Sequence, residues 1–175
     1  MKYVLSVLLL SLVAGCATGP LYTALPEMDK DYARLVIYRP YSMQGAAWPN
    51  PYCVDYQKVA SLRTTTYTWL SVNPGKHTLN FCRNGPGAEK LKFDVNFEGG
   101  RTYYLRQGPA LADQDKHVVD SDSDKTLSTK TITATPGFVI FIDFQTTFSL
   151  IQEDYALDEL KTYRYTPPIV GAIEK

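Results

Sequence analysis

Few side chains in this sequence can do chemistry. Its 175 residues include three cysteines, Cys16, Cys53 and Cys82, and two histidines, His77 and His117. His117 stands in a polar stretch with no cysteine or second histidine nearby, so the ligand spacing of a zinc site is missing. His77 falls on an apolar strand face after a turn and is expected to be packed and hydrogen-bonded, not a catalytic base. Asp120, Asp122 and Asp124, with Asp113 and Asp115 upstream, have the alternate spacing of a calcium loop. The glycine such a loop needs next is Lys125, and the bidentate glutamate position holds Thr131, so a solvated loop is expected and no metal. The sequence contains no Gly-x-Ser-x-Gly, His-Glu-x-x-His or phosphate-binding glycine loop. A hydrolase would therefore need carboxylates that converge only in space. The chain is expected to be no enzyme and to carry no cofactor.

Cys16 has a different context. Lys2 supplies a positive charge, residues 3–13 form an uncharged run dominated by Leu and Val, and Val13-Ala14-Gly15-Cys16 closes it. That run is too short to cross about 30 Å of hydrocarbon comfortably but has the length of a signal-peptide core. The tetrapeptide resembles the lipobox of bacterial lipoproteins. The resemblance implies cleavage after Gly15, diacylglycerol on the Cys16 sulfur and a further acyl chain on the new amino group, which together anchor stably. Ala17 in place of aspartate implies the outer membrane, with the protein facing the periplasm. Residues 1–15 are thus expected to be a lipoprotein signal peptide. Residues 16–32, with Gly19, Pro20 and Pro26 and no period, read as a lipidated flexible tether reaching up to roughly 50 Å.

Export brings the chain into an oxidising compartment, where Cys53 and Cys82 remain as a pair. Alternation points both away from the inferred core. They can bond only if their strands are neighbours in one sheet or the chain bends at Cys82, and otherwise they stay free thiols. Aromatic residues are the other surplus, with 13 tyrosines and two tryptophans. Tyr38, Tyr52, Tyr103 and Trp69 fit strands, whereas Tyr22, Tyr41, Trp48, Tyr163 and Tyr165 lie in or near loops and ends. Trp48 and Tyr41 are the candidates for contact with a protein partner or a sugar ring.

The elements that must position these residues are short. Strand-like pieces at 33–39, 52–54, 59–62, 67–72, 77–81, 91–97 and 101–106 are separated by turn residues. Two stretches, 138–144 and 147–151, read as a further strand pair, the former central. Asn73-Pro74-Gly75 and Gly99-Gly100 are the clearest turns. The one helix expected is 153–164, acidic at its start and basic at its end, with Leu157 and Leu160 on one face. This pattern predicts an all-β protein: an antiparallel β-sandwich of about 7–9 strands with one short C-terminal helix. The domain is expected over 33–166, with a polar loop near 109–126 and a tail at 167–175. Its 18 basic and 18 acidic residues give no net charge, which argues against nucleic acid as a partner.

Several segments together resemble a known family. They are Ala33-Arg34-Leu35-Val36-Ile37-Tyr38-Arg39-Pro40, the Val54-Asp55 turn, Tyr67-Thr68-Trp69, Val72-Asn73-Pro74-Gly75-Lys76-His77-Thr78-Leu79, and Gly99-Gly100-Arg101-Thr102-Tyr103-Tyr104-Leu105. Behind a lipobox, their order is similar to that of bacterial lipoproteins of the domain of unknown function 2846 family. The Pro-Gly-Lys-His-Thr-Leu segment is also similar to the turn-strand of PEGA and related prealbumin-like domains. The likeness covers about 33–107. Tyr56 stands where the family usually has glycine, and 109–135 looks like an insertion. The resemblance implies a small β-sandwich and an envelope location, and supplies no activity. The expectation is a lipid-anchored, non-catalytic envelope module for a protein partner, with a peptidoglycan- or glycan-binding module as the alternative.

Overall fold

The structure is a computed structural model that describes residues 19–43, 46, 48–82, 92–109, 146–170 and 172–173. Cys16, the signal segment 1–15, His117, the aspartates from Asp113 to Asp124 and the expected strand at 138–144 lie outside the described residues. In chain order the elements are β1 Ala33–Arg39, β2 Asn50–Val54, β3 Gln57–Leu62, β4 Thr66–Val72, β5 Gly75–Phe81, β6 Lys92–Phe97, β7 Thr102–Pro109, β8 Thr146–Ile151, α1 Glu153–Leu160, β9 Arg164–Tyr165 and β10 Ala172–Ile173.

Two sheets form. A six-stranded sheet has the order β10-β4-β1-β7-β8, with β9 also on β4, and a four-stranded sheet has the order β3-β2-β5-β6. Apolar residues from both fill the space between them, among them Leu35, Ile37, Leu70, Val72 and Leu105 from one side and Tyr52, Val54, Leu62, Leu79, Val95 and Phe97 from the other. The β-sandwich expected from the alternating pattern is present. Its pairing is mixed, because β1 runs parallel to β7, and β9 and β10 run parallel to β4.

The parallel β1–β7 pair makes β1 central, and all seven of its residues are buried. Ala33, Leu35 and Ile37 face the second sheet, while Val36 and Tyr38 join a separate cluster with Tyr67, Tyr104, Ile151, Ala156, Leu160 and Tyr163. The molecule therefore has a third layer on the outer face of the larger sheet. It contains α1, Tyr163, and Tyr22 and Leu25 from the N-terminal segment.

That layer corrects the tether. Tyr22 N–H donates to the Tyr163 carbonyl at 2.9 Å, Tyr165 N–H to the Pro20 carbonyl at 2.9 Å, and the Arg34 guanidinium to the Pro26 carbonyl at 2.6 Å. Leu21 forms an antiparallel bridge with Arg164. Residues 19–32 are thus packed along the sheet and are not a free linker. The tail is also corrected in part, since Ile169 N–H reaches the Val59 carbonyl and Ala172–Ile173 pairs with Ser71 and Val72. The helix stops at Leu160, four residues short of expectation and with no basic residue in its last turn. Tyr163 is needed in the outer layer, and Arg164 N–H bonds the Thr65 carbonyl, so the backbone extends into β9.

Cys53 and Cys82 are joined by a disulfide. Their strands, β2 and β5, are neighbours in the smaller sheet, with Tyr52 opposite Phe81 and Cys53 opposite Asn80. Tyr52 and Val54 face the core and Cys53 the other side, as the alternation requires. The bond ties residues 29 apart, which in the chain-entropy model stabilises the fold by about 3–4 kcal/mol. Urea unfolding of the Cys53→Ala/Cys82→Ala variant should show that loss, and reductant should produce a similar one in the wild type. Unchanged stability under reductant, with both thiols shown to be alkylatable, would contradict the assignment.

Candidate functional site

The long connections gather at one end of the sandwich. Arg39, Asn50, Leu62, Thr66, Phe81, Lys92, Pro109 and Thr146 all lie toward it, so the segments 40–49, 83–91 and 110–145 leave from and return to the same side. The opposite end closes with tight turns at 55–56, 73–74 and 98–101. At the loop end, Tyr41, Met43 and Trp48 are exposed by 64%, 84% and 75%. The two aromatic contact candidates therefore share one exposed loop.

Arg39 fixes the base of that loop. It follows Leu35 and Ile37 on the inward face of β1, which places its guanidinium inside the sandwich with 3% exposure. Its Nη1 donates to the carbonyls of Trp48 at 2.8 Å and Leu62 at 3.2 Å, so one buried cation holds the loop to β3. Burial lowers the Arg39 pKa from its ordinary value, and the nearby Tyr52 hydroxyl works the other way. Alongside, Gln107 Oε1 accepts from Tyr52 Oη at 2.6 Å and Asn50 Nδ2 at 3.1 Å. This polar base was not anticipated, although the parity of Arg39 with Leu35 and Ile37 was a usable signal.

His77 sits at the other end, 1% exposed. Its Nδ1 lies 2.6 Å from Asp55 Oδ2 and its Nε2 2.9 Å from the Asn73 carbonyl. Both partners are acceptors, so the ring is held on both sides and has no nitrogen left for a substrate. Asp55 Oδ1 also accepts from Thr78 N–H at 2.9 Å, pinning the β2–β3 turn to β5. Asp55 and Tyr56 adopt left-handed φ values of 48° and 66°, the geometry of a two-residue hairpin. The turn survives with Tyr56 in the glycine position because Asp55 is tied down beside it. His77 is the packed histidine the sequence suggested.

A third polar cluster sits between the larger sheet and α1. Arg106 Nε meets Glu159 Oε2 at 3.0 Å, and Tyr38 Oη donates to the same oxygen at 2.9 Å. Tyr104 Oη donates to Glu153 Oε1 at 2.8 Å. These contacts lock both ends of the helix to the sheet. A cleft of about 110 Å³ lies beside them, lined by Tyr103, Tyr104, Leu150, Ile151 and Glu153, and is small against the roughly 300–1,000 Å³ of small-molecule sites.

Burial pushes the phenols of Tyr38, Tyr52, Tyr104 and Tyr163 well above their ordinary pKa. Glu159 adds to the effect at Tyr38 and Tyr163, and Glu153 at Tyr104. Folded phenols thus keep protons that unfolded ones lose, so this stabilisation is complete below about pH 10 and fades as pH rises toward the folded values. Phenolate absorbance of the native protein near pH 11 should fall short of that in denaturant, and urea stability should decline steadily above about pH 10. Equal phenolate signals in the two states would refute this.

The family model described as protein of unknown function (DUF2846) matches residues 29–120, which carry β1 to β7. No curated protein and no solved structure matches the chain. With more than half its length under that match, from the packed N-terminal segment through the central parallel pair, the chain belongs to the DUF2846 family.

Proposed function

We propose that this protein is a lipid-anchored, non-catalytic component of a bacterial cell envelope, whose β-sandwich serves as an interaction or assembly module. The observation that carries this reading is Val13-Ala14-Gly15-Cys16 placed directly behind the apolar run of 3–13. The Cys53–Cys82 bond supports it from the other end of the argument, because such bonds persist outside the reducing cytoplasm. Ala17 after the cysteine favours the outer membrane, facing the periplasm. For the non-catalytic part, the support is His77, whose two ring nitrogens are both engaged inside the fold.

Expression in a diderm bacterium with labelled palmitate tests the anchor. The wild type should incorporate label, show a mature N-terminus at Cys16 and float with membranes, while Cys16→Ser should stay unprocessed and unlabelled. A Cys16→Ser protein that is still processed and still floats would overturn the reading. Crosslinking in intact cells with mass spectrometry would then name the protein partner.

The high exposure of Trp48 and Tyr41 supports a second reading, stacking on the sugars of peptidoglycan. Purified sacculi should then pull the protein down saturably, with Trp48→Ala abolishing the effect. Binding that is absent, or unchanged in that variant, removes the glycan reading.

A further inference from the structure

Tight turns close one end of the sandwich, and a single buried ring ties two of them together. His77 reaches the β2–β3 turn through Nδ1, 2.6 Å from Asp55 Oδ2, and the β4–β5 turn through Nε2, 2.9 Å from the Asn73 carbonyl. A carboxylate and a backbone carbonyl both accept, so each ring nitrogen needs its own proton to make its bond. The neutral ring has one proton only. In a site 1% exposed, its bare nitrogen would face an acceptor oxygen and leave a buried bond unmade. The doubly protonated ring makes both bonds and meets an opposite charge at Asp55.

The other groups around the ring leave that balance alone. From β6, Val95 stands opposite His77, and Phe97 packs against it with ring centres 5.6 Å apart. Beyond Phe97 lies Tyr103 of β7, its hydroxyl accepting from Glu98 N–H at 2.9 Å. The Lys76 and Thr78 side chains, next to His77 on β5, both bond Asp94 on the other face of the sheet. The turn at 98–101 lies against Pro74 through Gly99, and its Glu98 and Arg101 pair with each other at 2.8 Å. Among the described residues, Asp55 is the charged group that meets the ring.

The two bonds differ in strength. Asp55 is a charged acceptor, fixed in place by Thr78 N–H, so a ring with one proton keeps it on Nδ1. Nε2 then loses its hold on the carbonyl between Asn73 and Pro74. We propose that His77 is held as an imidazolium between Asp55 and the Asn73 carbonyl, and that removing its Nε2 proton frees the β4–β5 turn. The closed end of the sandwich is therefore a pH-sensitive latch. The latch requires neither the anchor nor a ligand at His77.

Ring NMR of the full chain labelled with nitrogen-15 histidine tests it. The sequence has two histidines, so His117→Gln leaves one ring in view. At about pH 7.5 the folded ring should carry protons on both nitrogens. In urea at the same pH it should be mostly neutral, since an unperturbed imidazole titrates at about pH 6.5. Folding then takes up a proton, so this stabilisation is complete below about pH 6.5 and is lost as pH rises. The unfolding equilibrium constant should grow by about tenfold per pH unit while the folded ring stays charged. Asp55→Asn, which removes the counter-charge, should flatten that growth between about pH 7 and 9, below the range in which the phenols act. When the wild-type ring does lose its proton, the backbone signals of Asn73 and Gly75 should move with it. A folded ring with one bare nitrogen at about pH 7.5 would overturn the proposal, whether or not Asp55→Asn folds. A ring that is doubly protonated but gives up its proton without moving the Asn73 and Gly75 signals would overturn the latch.

Discussion

A central strand with no exposed side chain is a constraint that two sheets alone cannot meet. The inward side of β1 is served by the smaller sheet, as in any sandwich. Its outward side bears Arg34, Val36 and Tyr38, and these need cover as well as hydrogen-bond partners. The chain supplies the cover from both of its ends. Tyr22 and Leu25 come from before β1, and α1 and Tyr163 come from after β8. β4 and β7 flank β1 within the sheet, so cover for its outward face comes from segments packed on top of the sheet.

Apolar packing and the polar contacts divide the work in that layer. Burying one large aliphatic or aromatic side chain is worth about 1.5–3 kcal/mol, so Val36, Leu160 and their aromatic neighbours supply the bulk of the attraction. The Arg106–Glu159 pair adds little net energy of its own, since desolvating both charges offsets most of their attraction. Its effect is on placement. A carboxylate that takes Arg106 Nε and Tyr38 Oη together leaves the helix one rotation about its axis, and Tyr104 on Glu153 repeats the restriction a turn and a half away.

The two-sheet core was legible because its strands alternate cleanly. β1 falls on the expected residues, and the inward sets of β5 and β6 can be read by parity. The disulfide was legible in part, as the shared facing of the two cysteines left neighbouring strands or a bend at Cys82 as the ways to bond, and the structure shows the neighbouring strands. The outer layer was not. Tyr38 and Arg106 fall in expected strands, but the carboxylate of Glu159 that meets both lies 121 and 53 residues away along the chain. Residues 19–32 have no period because they are held by a few separate backbone bonds and two side chains, which leaves no signature in composition. Of the loop-end site, exposed Trp48 and Tyr41 were visible in advance, and the buried Arg39 that holds them was not.

Docking the N-terminal segment changes what an anchor can do. On a flexible leash of about 50 Å, a domain tumbles through many orientations, and a weak surface preference for lipid is diluted among them. The backbone bonds of Tyr22 and Tyr165 and the Arg34 contact at Pro26 instead fix residues 19–32 against the larger sheet, so the fold begins at Gly19 and not at Ala33.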